Sequence, residues 1–145
     1  MSSHPDSNNL KMRLRACYLK ATPGRIALLA VFDRAKKPIT VAELINQLGA
    51  AINRATLYRN IEHLRVFGIL NKINLGDKEQ YYELASLAHH HHLTCRVCDK
   101  ITDVEACNIP VHDQNLLQKS GFAEINYHSL EFFGICEKCS QGEGY

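Results

Sequence analysis

Two pairs of cysteines constrain this chain more than any other feature of its sequence. Cys95 and Cys98 form one CxxC motif, Cys136 and Cys139 form a second, and 37 residues separate the two motifs. Zinc takes four ligands in a tetrahedron, and two thiolates on one tight turn supply two adjacent corners of it. Two such turns close the coordination shell, which is typical of a structural site. The spacing therefore predicts a domain folded around a four-cysteine zinc site, because such a site supplies on the order of 10 kcal/mol to folding.

The context of these motifs favours metal binding over disulfide chemistry. Residues 1–10 are polar and lack the apolar segment of a secretion signal, and no run approaches about 18 consecutive apolar residues. We therefore expect a cytoplasmic protein, in which paired CxxC motifs typically bind metal. A thioredoxin-type redox site needs only one CxxC, placed at a helix start in a βαβ unit, and neither motif has that context. The other two cysteines, Cys17 and Cys107, are interpreted as ordinary half-buried thiols, although Cys107 lies close enough to the first CxxC motif to be kept under consideration.

Charge is distributed unevenly along the chain. Residues 1–84 hold 13 Lys and Arg against 7 Asp and Glu, whereas residues 85–145 hold 4 against 8. A basic half favours a polyanion such as DNA, and an acidic half favours cations. We therefore expect a DNA-binding domain over residues 1–84, a hinge at 85–88 and a metal-binding domain over 89–145.

The first half carries the signals of helices followed by a hairpin. Thr22 precedes Pro23 as an N-cap before a proline at the first helical position, and Thr40 with Glu43 predicts a capping box. The predicted helices span Lys11–Lys20, start at Pro23, span Thr40–Gly49, and span Ala55–Phe67 with Asn53 or Arg54 at the start of the last. The predicted strands span Ile69–Ile73 and Gln80–Leu84. This order is that of a winged helix-turn-helix.

The helix predicted over residues 55–67 has the pattern of a recognition helix. Its apolar face is predicted to pack inward through Leu57, Ile61, Leu64 and Phe67. The recognition helix of a helix-turn-helix lies in the major groove, where side chains reach base edges and others contact phosphates. We predict that Tyr58 contacts a base with help from Thr56. The predicted backbone contacts come from Arg59, Arg25 and Lys20.

The second half is predicted to be a small α/β domain built around the four-cysteine site. Strands are expected over His89–Cys95, Lys100–Glu105 and Phe122–Phe133, with a helix from Pro110 to Ser120. The whole chain is therefore predicted to have an α+β fold, with a winged helix-turn-helix first and the zinc-containing α/β domain second.

Four consecutive histidines, His89 to His92, directly precede the first CxxC motif. On an extended strand alternate side chains point to opposite faces, so this run can supply imidazoles to two separate metal sites. Imidazole binds zinc, iron(II), nickel and copper, so the run does not select the metal. The alternative is a solvated polar strand, but further candidate ligands exist: Glu83, Asp103, Glu105, His112 and His128.

Several of these segments together resemble the ferric uptake regulator family. They are Thr22–Arg25, Ala55–Asn60, the HHHHLxCxxC segment from His89, and His128–Leu130 ahead of the last CxxC motif. They occur in the order found in that family, over residues 11–139. The resemblance implies a homodimeric repressor that grips pseudo-palindromic operators in double-stranded DNA when its metal is bound. Members of the family sense iron, zinc, manganese, nickel or peroxide, and their C-terminal domain is the dimerisation domain.

The resemblance also implies a ligand set for each metal. The structural zinc ligands are Cys95, Cys98, Cys136 and Cys139. A regulatory site at the hinge takes Glu83, His90, His92 and Asp103. A second regulatory site takes His89, His91 and His128, and its fourth ligand is Glu105 or His112, because Val111 stands where the family has an acid.

The expected function is metal-dependent repression of genes for metal-ion homeostasis. Pro38 stands where iron and peroxide sensors often carry a histidine, and the four remaining hinge ligands can still form a tetrahedron. That favours zinc over iron(II) or manganese as the regulatory metal. A peroxide-sensing repressor of the same fold and a metal-buffering protein are the alternatives. No enzyme is expected, because the HExxH motif is absent and Ile135 occupies the proline position of the deaminase PCxxC pattern.

Overall fold

The structure is a computed structural model of the chain, and it describes residues 6–76, 79–105, 107, 114–125 and 128–142. The chain divides into two units, Met1–Leu87 and Ala88–Tyr145. Within the described ranges, no helix has both the length and the apolar character needed to cross a bilayer.

The N-terminal unit consists of helices and a small sheet. Its helices are α1 (Ser7–Ala16), α2 (Pro23–Ala35), α3 (Val41–Leu48), a short 3-10 turn (Gly49–Ala51) and α4 (Arg54–Val66). Its strands are β1 (Ile39–Thr40), β2 (Leu70–Ile73) and β3 (Tyr81–Leu84).

The predicted starts of α2, α3 and α4 are confirmed by their caps. Thr22 Oγ1 accepts a hydrogen bond from the backbone N–H of Arg25 at 3.4 Å. Glu43 N–H donates to Thr40 Oγ1 at 3.1 Å, and Thr40 N–H donates to Glu43 Oε2 at 2.8 Å, which completes a capping box. Asn53 Oδ1 accepts from the N–H of residue 56 at 2.8 Å. Each cap satisfies a backbone donor that a helix start otherwise leaves unpaired.

The sheet of this unit forms the wing. Strands β2 and β3 are an antiparallel hairpin with Leu70 opposite Leu84 and Ile73 opposite Tyr81. Strand β1, which was not predicted, pairs with the other edge of β3 and gives the order β1-β3-β2. The helices and the sheet enclose one apolar core, whose most buried side chains include Leu14, Leu28, Leu29, Phe32, Ile39, Leu44, Leu57, Ile61, Leu64 and Leu70. The predicted winged helix-turn-helix is therefore confirmed.

Two details of this unit differ from the prediction. Helix α1 spans Ser7–Ala16 and not residues 11–20, because Asp6 caps it earlier and Tyr18 adopts a left-handed backbone with φ of 57°. Phe67 is 44% exposed and does not pack inward. It lies beyond the last turn of α4, where Gly68 with φ of 70° turns the chain away.

The C-terminal unit contains a second sheet flanked by short helices. Its elements are β4 (His91–Cys95), β5 (Ile101–Val104), α5 (Gln114–Ser120), β6 (Glu131–Gly134) and α6 (Glu137–Ser140). The strand order is β5-β4-β6, with β5 antiparallel and β6 parallel to the central strand β4. The predicted helix start at Pro110 lies outside the described residues, as does His112.

The prediction of a long strand over Phe122–Phe133 is wrong. Only Glu131–Gly134 is extended and paired, and the described residues of 122–130 contain no strand. The alternation of apolar residues is present, but β4 offers partners only from His92 to Cys95. The backbone N–H and C=O groups of a strand need hydrogen-bond partners on a neighbouring strand, so the number of β4 residues that pair limits the length of β6. With both units taken together, the predicted α+β fold is confirmed.

Candidate metal centres and DNA-binding face

The two CxxC motifs lie side by side in the C-terminal unit. Cys95 ends β4, and Cys98 follows it on a turn. Cys136 caps α6, and Cys139 lies within that helix. The parallel pairing of β4 with β6 sets Cys95 opposite Gly134, so the second motif follows directly beside the first. The four Sγ atoms consequently lie within 4.8 Å of one another.

The geometry and electrostatics of these four cysteines fit a zinc ion. Bonds of about 2.3 Å in a zinc–thiolate tetrahedron place the sulfur atoms about 3.8 Å apart, and Cys98 Sγ is 3.8 Å from Cys136 Sγ. The backbone N–H of Cys136 donates to Cys95 Sγ at 3.3 Å. This contact, with backbone N–H groups of Cys98 and Val97, lowers the pKa of the Cys95 thiol to about 6. Such donors stabilise the thiolate, which is the form that binds metal.

The three histidines predicted for the second regulatory site lie together. The ring centroid of His89 is 4.7 Å from that of His91 and 4.6 Å from that of His128, and the last two are 5.4 Å apart. His91 is only 1% exposed, and its Nε2 has no hydrogen-bond partner among the described residues. Burial, with His89 and His128 nearby, lowers the pKa of His91. This shift favours the neutral ring, which is the form that binds metal.

Cys107 is the fourth member of this group, although the sequence alone indicated an ordinary thiol. Its Sγ is 3.2 Å from His128 Nε2, and one ligand atom from each of the four residues lies within 4.8 Å of the others. We call His89, His91, Cys107 and His128 the histidine–cysteine cluster. Glu105, one of the two predicted fourth ligands, is exposed and does not belong to it. The only signal in the sequence was a cysteine outside the CxxC motifs, near the histidine run.

The residues predicted for the hinge site are divided between the two units. In the C-terminal unit the rings of His90 and His92 lie 4.7 Å apart, and His92 Nδ1 is 3.2 Å from Asp103 Oδ1. His92 and Asp103 are direct cross-strand partners on β4 and β5, which explains the contact. A carboxylate on one ring nitrogen orients an imidazole and leaves the other nitrogen for a metal. Glu83 lies on β3 of the N-terminal unit, opposite Asn71.

Helix α4 presents the predicted DNA-contacting residues on its outer face. Tyr58 is 53% exposed, and Arg59 beside it is also exposed. Thr56 is half-buried near the start of the helix, and Lys20 is exposed on the segment before α2. The opposite face of α4 packs in the core, so Thr56, Tyr58 and Arg59 project from a rigid helix.

Arg25 connects the start of α2 to α4. Its Nε donates to Asn60 Oδ1 at 3.3 Å, and its guanidinium lies 2.7 Å from His63 Nδ1. It also donates to the carbonyl oxygen of Lys20 at 3.1 Å. From the sequence, Arg25 was expected to contact a phosphate and His63 to face solvent or contact a phosphate, and Asn60 was given no role. The spacing of residues 60 and 63 on one helix face could have suggested the shared partner.

Comparison with known proteins places the chain in a family. Residues 17–133 match the Ferric uptake regulator family. The Ferric uptake regulation protein of Bacillus subtilis (strain 168) is 30% identical, over 94% of this chain and 95% of that protein. The Peroxide operon regulator of the same organism is 25% identical, over 91% and 92%.

Solved structures agree with this assignment. The Vibrio cholerae ferric uptake regulator is 26% identical and superposes with a TM-score of 0.70, over 87% of this chain and 98% of that one. The match extends across both the winged helix and the C-terminal sheet, so the resemblance drawn from the sequence motifs is confirmed. This chain is a member of the ferric uptake regulator family.

Proposed function

We propose that the protein is a metal-dependent transcriptional repressor of metal-ion homeostasis genes, with zinc as its regulatory metal in preference to iron(II) or manganese. The observation that carries the proposal is the clustering of metal-ligating side chains in the C-terminal unit of a chain whose N-terminal unit is a winged helix. The four-cysteine cluster would hold a structural zinc ion, and the histidines before it would hold the regulatory metal.

DNA recognition is proposed for helix α4. Tyr58 would contact a base in the major groove, with Thr56 beside it. Arg59 and Lys20 are exposed and suited to phosphates, whereas Arg25 would act on phosphate and on the placement of α4 together.

The hinge site is proposed to link metal to DNA. Glu83 belongs to the wing, and His90 and His92 follow it by only seven and nine residues. A metal held by Glu83, these two histidines and Asp103 would select one orientation of the DNA-binding unit from many. The metal would bind that orientation more tightly than the others, and so would DNA. Bound metal would therefore raise the affinity for DNA, and bound DNA would raise the affinity for metal by the same factor.

A second copy of this chain is the partner proposed for the C-terminal sheet. Leu93 and Phe132 are directly paired on β4 and β6, and they are 42% and 45% exposed. Adjacent apolar side chains of this kind suit an interface between protomers. A two-fold dimer would present two copies of α4 to the half-sites of a pseudo-palindromic operator.

The test is a titration of the full chain, loaded only with its structural zinc, against a pool of AT-rich palindromic duplexes at fixed salt. Fluorescence anisotropy follows DNA binding as buffered Zn(II), anaerobic Fe(II) or Mn(II) is added. Affinity that rises with Zn(II) supports the proposal. DNA binding that is indifferent to every metal refutes metal-dependent repression, and no DNA binding at all favours a metal-buffering protein.

A matched pair of variants tests the hinge site. Glu83→Ala should remove the dependence of DNA affinity on metal, whereas Glu79→Ala, an exposed glutamate of the same wing, should keep it. If both variants respond to metal as the parent does, Glu83 is not a ligand that couples metal to DNA.

A peroxide-sensing repressor is the second candidate, favoured by the 25% identity with the Peroxide operon regulator. It predicts that Fe(II) restores DNA binding and that peroxide then abolishes it irreversibly. The zinc-bound form would be unaffected by the same treatment within the lifetime of the complex.

A further inference from the structure

We infer that Cys107 is the fourth ligand of the second regulatory site and that its thiolate selects Zn(II) over Mn(II). This inference rests on the proposed function, since it assumes that the histidine–cysteine cluster holds a metal. In this ligand set a sulfur atom takes the place of the carboxylate of Glu105 or the imidazole of His112 that was expected from the sequence.

The distances in the cluster support coordination. Zinc bonds of about 2.3 Å to sulfur and about 2.0–2.1 Å to nitrogen place sulfur and nitrogen about 3.5 Å apart in a tetrahedron. Cys107 Sγ is 3.2 Å from His128 Nε2. The full set of ligand atoms already lies within 4.8 Å, so only small rotations of the side chains are needed to close the site.

An independent observation is the state of the histidines. His91 Nε2 is buried and has no hydrogen-bond partner among the described residues. A buried polar atom without a partner destabilises a fold, because it has given up its hydrogen bonds to water. The side chain of His91, only 1% exposed, is therefore difficult to explain as packing alone. A metal ion in this cluster would bind His91 Nε2 and so supply the missing partner.

The sulfur ligand determines the preference for metal. Thiolate and imidazole together suit zinc, whereas carboxylate and water suit manganese. Glu105, the nearest carboxylate in sequence, is exposed and outside the cluster. Among the residues described, the cluster thus offers three nitrogen atoms and one sulfur atom, and no oxygen ligand from a carboxylate.

The experiment uses cobalt(II) as a spectroscopic probe of the full chain with zinc retained in the four-cysteine site. Zinc gives no visible spectrum, and four of the six cysteines are occupied by it. A hinge site of imidazoles and carboxylates would bind cobalt without sulfur. A thiolate-to-cobalt charge-transfer band, with the strong visible bands of a tetrahedral ion, would therefore report Cys107 or Cys17.

Three variants separate the possibilities. Cys107→Ser should lose the charge-transfer band and weaken Zn(II) binding at this site by at least about 100-fold, since even outer-shell partners are worth about 10–100-fold. Cys107→Asp should also lose the band but bind Mn(II) more tightly than the parent. Cys17→Ser, the matched control in the N-terminal unit, should change neither the band nor the affinity. One zinc per chain in every variant shows that the C-terminal unit is folded.

Two results would overturn the inference. One is a Cys107→Ser variant that keeps both the band and the Zn(II) affinity, and the other is a parent chain that binds cobalt with no charge-transfer band. Neither measurement involves DNA, so the proposed function is tested separately. A chain that shows the Cys107 band but whose DNA affinity ignores Zn(II) keeps this ligand set and refutes the repressor.

Discussion

Replacing Arg25 with alanine should loosen the attachment of α4 to the rest of the winged helix. The guanidinium bonds Asn60 and His63, one turn apart on α4, and the carbonyl oxygen of Lys20 before α2. Alanine removes all three contacts but leaves the Thr22 cap intact, because that cap uses the backbone N–H of residue 25.

The magnitude follows from the environment of each contact. A hydrogen bond from a charged donor contributes about 1.5–3 kcal/mol, and a buried acceptor left unpaired costs about 1–3 kcal/mol. Asn60 is only 7% exposed, whereas His63 is half-buried. The contacts share one side chain and do not add. We therefore expect a loss of about 2–4 kcal/mol from the free energy of unfolding of this unit.

Urea unfolding of the zinc-loaded chain, followed by far-ultraviolet circular dichroism, measures this loss because most helical residues lie in α1–α4. Arg59→Ala is the matched control, since Arg59 is an exposed arginine of α4, the helix that Arg25 contacts. It should change stability by less than about 0.5 kcal/mol while weakening DNA binding. Equal unfolding midpoints for the two variants would refute the positioning role and leave Arg25 as a phosphate contact only.

Three further predictions concern other parts of the chain. Cys98→Ser should abolish structural zinc binding, and such sites contribute on the order of 10 kcal/mol to folding. Hydrogen exchange should therefore show that β4–β6 lose amide protection whereas α1–α4 keep it. Tyr18→Gly should stabilise the chain by about 0.5–1 kcal/mol, because the left-handed backbone costs about 1–2 kcal/mol for a residue with a Cβ. Little packing is lost, since Tyr18 is 93% exposed. Tyr18→Ala should give no increase in stability in the same urea titration. Asp103→Asn should weaken metal binding at the hinge site by at least about 10-fold, because it removes a proposed carboxylate ligand and the negative charge beside His92 Nδ1. Unchanged affinity in competition with a chelator would contradict this role.

The parts of the fold that the sequence predicted are those determined locally. The caps at Thr22, Thr40 and Asn53 depend on residues two or three positions away, so their motifs identify the helix starts. The four-cysteine site was predictable for the same reason, because each half of it is a single turn. The end of α1 was not, since nothing local indicated that Tyr18 would adopt a left-handed backbone.

The parts that the sequence did not predict depend on distant segments. Cys107 meets His128 across 21 residues, and Arg25 meets His63 across 38, so neither contact leaves a spacing pattern. The strand predicted over residues 122–133 failed because its length depends on its neighbour β4 and not on its own alternation. The predicted fourth ligand beside His89, His91 and His128 was Glu105 or His112, whereas the tertiary structure brings Cys107 to these histidines.

Strand β4 has a consequence for how this sequence can change. His91 and Cys95 lie at the two ends of this strand and belong to the two ligand clusters of the C-terminal unit, and His92 beside His91 contacts Asp103. Because side chains alternate between faces, inserting or deleting one residue between His92 and Cys95 would exchange the faces of the two histidine pairs relative to Cys95, whereas a change of two residues would restore the pattern. The strand therefore behaves like a reading frame with a period of two. Related sequences must therefore keep an even or odd number of residues between the histidines and Cys95 as it is here, even where individual ligands are replaced.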